Sequence, residues 1–334
     1  METRALGHSG LQVSVLAFGA MTFGGRGGFA ALGSTQTEDA RAIVGACIEA
    51  GVNLFDTADI YSGGESEEIL GRALAGRRDE VLLATKAFGP MGPGPNDRGA
   101  SRRHLIAACD ASLRRLGTDW IDLYQLHGFD SLTPLEETLS ALDDLVRAGK
   151  VRYVGCSNYS AWHLMKALGI SERDGYERYV SQQVYYSLVS RELELELVPL
   201  ALDQDVGILV WSPLAGGFLT GKYRRGQEPP EGTRRRGAGD DPPNLDIERG
   251  YDVVEALDAV AGRHGASVAQ VALAWLLHQP GVSSVIVGAR DDRQLRDNLA
   301  AAEISLSAED LTELDAVSRP ELTYPYWHQA DNAR

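Results

Sequence analysis

Short apolar runs alternate with longer amphipathic segments along the whole chain. The runs are rich in Val, Leu and Ile without polar alternation, which is typical of strands buried on both faces. After an N-terminal hairpin over about residues 4–13, the pattern predicts eight strands, over residues 15–18, 52–55, 81–85, 121–126, 152–155, 181–185, 208–211 and 283–287. A chain with this many buried strands has a large central sheet.

Each predicted strand is followed by a segment with helical periodicity, over residues 37–49, 65–75, 101–116, 134–148, 160–168, 193–204, 267–278 and 291–302. Eight strand–helix units predict an α/β protein with a closed (β/α)8 barrel, a TIM barrel, as one domain over residues 1–334. Two extra helices are predicted over 247–264 and 308–317, and a long loop over 223–246 follows strand seven.

Several helix boundaries carry local signals. Thr133 before Pro134 predicts an N-cap followed by proline in the first turn. Four glycines stand where helices should end and are expected at positive φ: Gly51, Gly117, Gly149 and Gly207.

Composition narrows the class of protein. Apolar residues make up 44% and charged residues 24% of the chain, as in globular proteins. No apolar stretch has the length of a membrane span, and the first ten residues lack the apolar core of a signal peptide. Cys47, Cys109 and Cys156 match no metal-binding spacing. We therefore expect a cytoplasmic protein with reduced thiols, no bound metal and no membrane partner.

The formal net charge of −15 argues against a nucleic-acid partner, since phosphate contacts need a basic face. It leaves room for one phosphorylated cofactor, because a few local Arg and Lys side chains can form a positive pocket on an acidic protein.

Polar residues at the ends of three successive strands carry the candidate chemistry. Strand two ends at Asp56 with Tyr61 in the following loop, strand three ends at Lys86, and strand four ends at His127. The carboxyl ends of barrel strands converge on one face, where active sites lie. We therefore expect these four side chains to form one patch.

The chemistry of the four groups is consistent. An adjacent ammonium lowers the pKa of a phenol, and a carboxylate keeps the ammonium charged. Tyr61 is then the proton donor, Lys86 its tuner and Asp56 the anchor, while His127 donates a hydrogen bond to a substrate oxygen. Each residue alone also has a structural explanation, such as a loop cap, packed aromatic, ion pair or core histidine.

Four motifs, NLFDTADIYSGGESEEILGRAL, LATKAF, LYQLHGFD and VRYVGCSNYS, resemble in order and spacing the signatures of the aldo-keto reductase superfamily. The resemblance covers essentially the whole chain. Within the superfamily, the sequence is similar to the channel β-subunit and aryl-alcohol dehydrogenase branches. It implies a TIM barrel that binds NAD(P)H without a Rossmann domain. It also implies a catalytic tetrad of Asp56, Tyr61, Lys86 and His127.

The resemblance further implies the residues that hold the cofactor. Those near the nicotinamide are Gly19, Met21, Ser157, Asn158, Gln183 and Trp211, the last as the stacking aromatic. The segment SPLAGGFLTGKY resembles the pyrophosphate loop and contributes Ser212, Leu214, Gly216 and Lys222, although Lys222 has the alternative of a solvated surface charge. The segment VGARDDRQLRDN resembles the adenosine end and contributes Gly288, Arg290, Gln294 and Asn298. Arg290 favours NADPH, while Gln294 stands where some branches have arginine, so NADH stays possible.

The resemblance implies NADPH-dependent reduction of an aldehyde or ketone, with alcohol oxidation as the reverse reaction. One alternative is a non-catalytic NADPH-binding regulatory subunit, and a metal-dependent barrel hydrolase is a remote one. Candidate pocket walls include Met21, Phe23, Phe88, the loop near Phe129, the loop over 223–246 and the aromatic tail at Tyr324, Tyr326 and Trp327. The tail is expected to pack on the barrel, and the basic run at 233–237 to be solvated. The natural substrate and the oligomeric state are not readable from these residues.

Overall fold

The computed structural model of the protein describes residues 1–30, 32–231 and 245–331. Two short antiparallel strands, β1 (Thr3–Ala5) and β2 (Gln12–Ser14), form the predicted hairpin. Eight parallel strands then form a closed barrel in chain order, with the last pairing to the first. They are β3 (Leu16–Gly19), β4 (Leu54–Asp56), β5 (Leu82–Ala87), β6 (Ile121–Leu126), β7 (Val151–Ser157), β8 (Tyr179–Tyr185), β9 (Gly207–Trp211) and β10 (Val282–Val287). The TIM barrel is confirmed.

Helices surround the barrel and follow the predicted segments closely. They are α1 (Thr37–Glu49), α2 (Glu65–Ala73), α3 (Arg102–Leu116), α4 (Leu135–Arg147), α5 (Ala161–Asp174), α6 (Leu197–Gln204), α7 (Ile247–His264), α8 (Val268–Leu277), α9 (Asp292–Ala300), α10 (Ala308–Ser318) and α11 (Tyr326–Asp331). The segment predicted as one helix over 193–204 is a 3-10 turn, Glu192–Leu195, followed by α6. The two extra helices are present as α7 and α10, and α11 is one that the pattern did not predict.

The barrel interior has an apolar layer near the hairpin. Inward-facing residues of successive strands form one buried cluster with Leu6 and Val13 of the hairpin segment, namely Ala17, Leu54, Ala84, Leu123, Val180, Leu209 and Ile286. Side chains alternate between the two faces of a strand, so the residue two positions further along points inward again. That next position is Asp56 in β4, Lys86 in β5 and Gln125 in β6. The alternation therefore sets polar groups directly above the apolar layer.

Two boundary predictions are wrong. Gly207 does not have a positive φ, because α6 ends through Asp205, which takes the left-handed conformation at φ 51°. Gly207 instead begins β9, where a Cβ would lie only 2.8 Å from the backbone nitrogen of Gly7 in the hairpin. Pro134 is the N-cap of α4, and the Thr133 hydroxyl donates to Asp130 instead of capping the helix. Gly51, Gly117 and Gly149 have the predicted positive φ.

The long loop is described only at its two ends, and the basic run at 233–237 lies outside the described residues. The aromatic tail contacts the barrel through the Tyr326 hydroxyl, which donates to Glu196. Tyr324 and Trp327 are 75% and 47% exposed, so the tail packs on the barrel only in part. The three cysteines are buried and free. In the ranges given above, no helix is both long and apolar enough to cross a membrane.

Candidate active site

The four predicted catalytic residues lie together at the carboxyl ends of β4, β5 and β6. Asp56 is the last residue of β4 and pairs in register with Ala84 of β5. Lys86 lies in β5, and His127 follows β6 directly, with its backbone N–H donating to the Ala87 carbonyl. Tyr61 begins a short 3-10 turn after β4. The barrel thus brings the four residues to one edge, as predicted.

Lys86 is the centre of this group. Its ammonium is fully buried and lies 2.5 Å from Asp56 Oδ1, 2.8 Å from the Thr57 carbonyl oxygen and 3.3 Å from the Tyr61 hydroxyl. All three of these atoms accept hydrogen bonds from a single ammonium, which has three protons to donate. The lysine therefore joins the carboxylate to the phenol by direct contacts.

The loop that carries Tyr61 has an unusual backbone. Ser62 has φ 51°, and Gly63 and Gly64 also have positive φ. The buried Ser62 hydroxyl donates to the Phe23 carbonyl and accepts from the Gly25 amide, which ties this loop to the segment after β3. A non-glycine residue rarely adopts this backbone conformation without such support. The turn thereby holds Tyr61 towards the end of β5.

Burial shifts the pKa values of Tyr61 and Lys86 in addition to the effect of their neighbouring charges. Burial raises the pKa of Tyr61 above its ordinary value, and the Lys86 charge offsets this only in part. Burial lowers the pKa of Lys86, but the carboxylate of Asp56 and the Tyr61 phenol outweigh it and the pKa is raised overall. At neutral pH, Tyr61 is therefore a neutral phenol beside a charged ammonium.

His127 lies edge-on against the Tyr61 ring, with 5.6 Å between the ring centroids. Burial, together with the charge of Lys86, lowers the pKa of His127 to about 3. The imidazole is therefore neutral at physiological pH and has one N–H to donate. The neutral imidazole N–H and the neutral phenol hydroxyl can both contact the same oxygen atom of a substrate, and neither brings a charge to it.

Two glutamines donate further hydrogen bonds to Asp56. The side-chain amide of Gln125 donates to Asp56 Oδ2 over 3.2 Å, and that of Gln183 donates to the same oxygen over 2.9 Å. Gln125 was not predicted as a site residue. Its position two residues before His127 on β6, on the inward face, is the signal that could have identified it. Gln183, which the resemblance assigns to the cofactor, also supports the Asp56 carboxylate.

A second group of polar side chains follows β7, β8 and β9. The Ser157 hydroxyl donates to the Gln183 carbonyl. Asn158, at φ 59°, donates through Nδ2 to the His127 carbonyl and accepts at Oδ1 from the Trp211 indole. The Trp211 ring also stacks on Tyr185, with centroids 4.8 Å apart. These residues connect the catalytic group to the end of β9.

The segment after β9 curls tightly. Ser212, Ala215, Gly216 and Gly217 all have positive φ, and the Gly216 amide donates to the Ser212 hydroxyl over 3.3 Å. A Cβ at Gly216 would meet open space, whereas one at Gly217 would lie 3.0 Å from Lys222 Nζ. Successive backbone N–H groups in such conformations form anion-binding concavities. Leu214 is partly buried beneath the curl, and Lys222 is exposed beside it.

The residues that the resemblance assigns to the adenosine end lie after β10. Asn298 donates from Nδ2 to the Gly288 carbonyl, and the Arg290 amide donates to the Gln294 side chain. The Arg290 guanidinium also donates to the Leu32 carbonyl over 3.2 Å. That contact joins this end to the segment between β3 and α1, a link that the sequence did not suggest.

Gly19 and Met21 complete the predicted set at the end of β3. Gly19 pairs in register with Asp56, and a Cβ at Gly19 would lie 2.8 Å from Ile286 Cγ2 of β10. Met21 lies in the short 3-10 turn that follows and is partly exposed. The position of Gly19 next to Asp56 keeps the β3 backbone close to the Asp56 carboxylate.

The donor set fits an elongated nucleotide with an amide at one end. Side-chain amides and an indole lie beside the group of Asp56, Tyr61, Lys86 and His127. A glycine-rich curl of N–H groups follows β9, and an arginine lies after β10. Carboxamide, diphosphate and ribose phosphate groups have the complementary acceptors. Across the parts of the chain that the structure describes, no group of three or more His, Cys, Asp or Glu side chains could hold a metal ion.

Comparison with known proteins gives a consistent result. Residues 15–319 match the sequence profile of the aldo/keto reductase family. The "Uncharacterized oxidoreductase YrpG" of Bacillus subtilis is 40% identical over 95% of this chain and 96% of its own length. The "L-glyceraldehyde 3-phosphate reductase" of Escherichia coli K12 is 35% identical over 94% and 92%. The "Probable voltage-gated potassium channel subunit beta" of Arabidopsis thaliana is 37% identical over 91% and 92%.

Proposed function

Since the chain belongs to the aldo/keto reductase family, we propose that it is an NADPH-dependent enzyme that reduces an aldehyde or ketone to an alcohol. The family and its oxidoreductase relatives support carbonyl reduction in general. The proposal adds the cofactor, the proton donor and a cytoplasmic location. Hydride transfer is reversible in principle, so the same site would also oxidise an alcohol.

The observation that carries the proposal is the set of contacts around Lys86. A reduced carbonyl carbon leaves a negative oxygen that must receive a proton. The Tyr61 phenol is protonated at neutral pH, and the ammonium 3.3 Å away stabilises the phenolate that remains after donation. Asp56 keeps the ammonium charged and fixed. The group therefore both stores a proton and lowers the cost of releasing it.

His127 would orient the substrate. The charged imidazolium form loses its proton with a pKa of about 3, so at neutral pH the ring is neutral and cannot compete with Tyr61 as a proton donor. It can donate a hydrogen bond to the carbonyl oxygen and so place that oxygen towards the phenol. Acid chemistry and orientation are thus divided between two side chains.

The cofactor residues are proposed from the fit of their donors. Asn158, Gln183 and Ser157 would hold the carboxamide, with Gly19, Met21 and Trp211 against the ring. Ser212, Leu214, Gly216 and Lys222 would hold the diphosphate, and Gly288, Arg290, Gln294 and Asn298 the adenosine end. When bound, NADPH supplies the hydride. Arg290 favours NADPH over NADH because a guanidinium matches a 2′-phosphate.

The relatives also favour a second candidate, an NADPH-binding regulatory subunit. The Arabidopsis thaliana relative is named a channel subunit beta and covers most of this chain. Such a role would use the same cofactor residues without requiring turnover. Steady oxidation of NADPH with simple aldehydes, at more than one turnover per protein molecule, would favour the enzyme.

Substitution Tyr61→Phe tests the proposal directly. It removes one hydroxyl and keeps the ring that packs on His127 and Phe29. We expect kcat for aldehyde reduction to fall by about 10²- to 10⁴-fold, the usual contribution of a general acid. NADPH affinity, measured by quenching of tryptophan fluorescence, should change by less than about threefold, since the hydroxyl belongs to the reacting group.

Tyr176→Phe is the matched control, because Tyr176 is a half-buried tyrosine just beyond α5 and far along the chain from the site. Its turnover should equal that of the wild type. Turnover by the Tyr61→Phe variant within tenfold of the wild type would refute Tyr61 as the proton donor.

A further inference from the structure

A second carboxyl group is buried close to the Lys86–Asp56 pair. Asp59 lies two residues before Tyr61, and its backbone N–H donates to the Lys86 carbonyl over 3.0 Å, which holds it against β5. Its side chain is fully buried. Neither carboxyl oxygen makes a hydrogen bond of normal geometry with any described residue. An ionised carboxylate in such a place is strongly disfavoured.

A further buried carboxyl, Glu67 of α2, raises the pKa of Asp59, and both of its oxygens have hydrogen-bond partners. Glu67 is buried, accepts from the Thr85 hydroxyl over 2.6 Å and pairs with Arg115 Nε of α3 over 2.6 Å. The Arg115 stem lies against Gly64, where a Cβ would approach Arg115 Cδ to 2.7 Å. Arg115 is therefore occupied by Glu67 directly below the Tyr61 turn.

The charges of this cluster do not balance if all of its groups are ionised. Three carboxyls, Asp56, Asp59 and Glu67, face two cations, Lys86 and Arg115. Lys86 is paired with Asp56, and Arg115 is paired with Glu67. The remaining carboxyl, Asp59, has no cation of its own, so holding a proton is what makes the buried cluster neutral.

The groups that face Asp59 act in both directions. Burial raises the pKa of Asp59 to about 7 and the charge of Glu67 acts the same way, while Arg115, the Ile60 amide and Lys86 oppose this. An ionised Asp59 would in turn raise the pKa of two phenols, Tyr61 on its own loop and Tyr124 on β6.

We propose that Asp59 is a positioning residue for proton donation, held as the neutral acid while Tyr61 acts, and that its ionisation weakens Tyr61 as a donor. It contacts no substrate and acts through the charge that it adds behind Tyr61 and Lys86. The inference rests on the proposed function, in which Tyr61 donates the proton. When Asp59 ionises, one proton leaves to solvent and the cluster becomes negative by one charge.

The consequence is a dependence on pH. As pH rises through the Asp59 pKa of about 7, the new charge raises the Tyr61 pKa and makes the phenol a weaker acid. We expect kcat for carbonyl reduction to fall by about threefold across this limb of the pH profile, because the rate of proton transfer follows the acidity of the donor only in part. The asparagine side chain has the shape of the neutral acid, so the pH profile of the Asp59→Asn variant should lack this limb.

The pKa of Tyr61 can be measured without turnover. Protein labelled at tyrosine Cζ gives one carbon resonance per tyrosine by NMR, and Tyr61→Phe identifies the signal of Tyr61. In Asp59→Asn the Tyr61 pKa should be lower than in the wild type, because the negative charge of Asp59 is gone. Asp110→Asn is the matched control, since Asp110 pairs with Lys150 on the surface.

Stability gives an independent readout of the Asp59 proton. The folded pKa of about 7 exceeds the unfolded value of about 3.9, so the folded state binds the extra proton between these values. The wild type should therefore lose stability from this group as pH rises from about 4 to about 7. The advantage of Asp59→Asn over the wild type in urea unfolding should grow across that window and level off above it.

Glu67→Gln balances the charge count. With two carboxyls left for two cations, Asp59 is free to pair with Arg115 and should ionise at an ordinary carboxyl pH. The limb near pH 7 should then vanish from both stability and activity. If this variant does not fold, Asp59→Asn alone still decides the proposal.

Two results would overturn the inference. If the free energies of unfolding of wild type and Asp59→Asn differ by a constant amount from pH 4 to 8, Asp59 holds no extra proton in the folded state. An unchanged Tyr61 pKa in Asp59→Asn would show that Asp59 does not act on the donor. Failure of the proposed function is separate, because it would appear as absent turnover while both of these measurements still give their answers.

Discussion

The two layers of the barrel interior use the same strands for opposite purposes. Near the hairpin, Leu54 and Leu123 pack in an apolar cluster. Two residues further along the same strands, Asp56 and Gln125 face inward and hydrogen-bond to each other. Because each apolar side chain needs only contact, the lower layer is stable by burial alone.

The polar layer has a stricter requirement. A buried polar group is costly unless a partner satisfies it. Asp56 accepts from Lys86, Gln125 and Gln183, and Lys86 in turn reaches Tyr61. Removal of any one of these side chains leaves another buried polar group without its hydrogen-bond partner. The lower layer therefore supplies stability, while the upper layer depends on a partner for each of its polar groups and carries the proposed chemistry.

Substitution Lys86→Met should have the largest effect, because it breaks both roles of the upper layer. Loss of one partner of a buried ion pair costs about 3–5 kcal/mol in the free energy of unfolding. Turnover should fall by at least about 10³-fold, since the phenolate loses its stabilising charge. Urea unfolding and the rate of NADPH oxidation with an aldehyde measure the two losses.

Lys150→Met is the control for that substitution. Its ammonium pairs with Asp110 over 2.7 Å on the surface, and a pair of this kind contributes at most about 1 kcal/mol. A Lys86→Met protein as stable and active as Lys150→Met would contradict the dependence of the upper layer on its ion pair.

Leu123→Ala should separate stability from chemistry. Leu123 is fully buried in the lower layer, and a Leu→Ala change in a core costs about 2–5 kcal/mol. Turnover of the folded fraction should stay within about threefold of the wild type, because the polar layer keeps all its partners. The same change at Leu132, which is 92% exposed, should alter stability by less than about 0.5 kcal/mol. A loss of turnover as large as that of Lys86→Met would show that the layers are not separable.

Arg290→Ala should have the smallest effect, because Arg290 lies at the rim, outside both layers. Loss of the guanidinium should raise KM for NADPH by about tenfold, equal to about 1.4 kcal/mol, and leave KM for NADH nearly unchanged. Arg293→Ala, at an exposed position three residues further on, is the control and should change neither. Equal losses with both cofactors would argue against recognition of a 2′-phosphate.

Much of the site could be predicted because its signals are local. Asp56, Lys86 and His127 end strands whose positions are visible from their apolar runs, and the barrel topology brings strand ends together. Gln125 and Asp59 were missed because their roles depend on partners. Gln125 meets Asp56 across 69 positions of the chain, and the role of Asp59 depends on which cation is already occupied.

The sequence by itself determined the order and number of barrel strands, the register of inward-facing positions and the chemical types at the strand ends, because periodicity and alternation are local properties of the chain. Only the tertiary structure decided the proton affinities. The lysine charge alone predicts a lowered pKa for Tyr61, yet burial raises it. Burial and pairing are set by distant segments such as β8, which brings Gln183 to Asp56 across 127 positions. Local sequence therefore specifies which chemical groups stand at the strand ends, and the tertiary structure specifies which of them pair and which hold their protons.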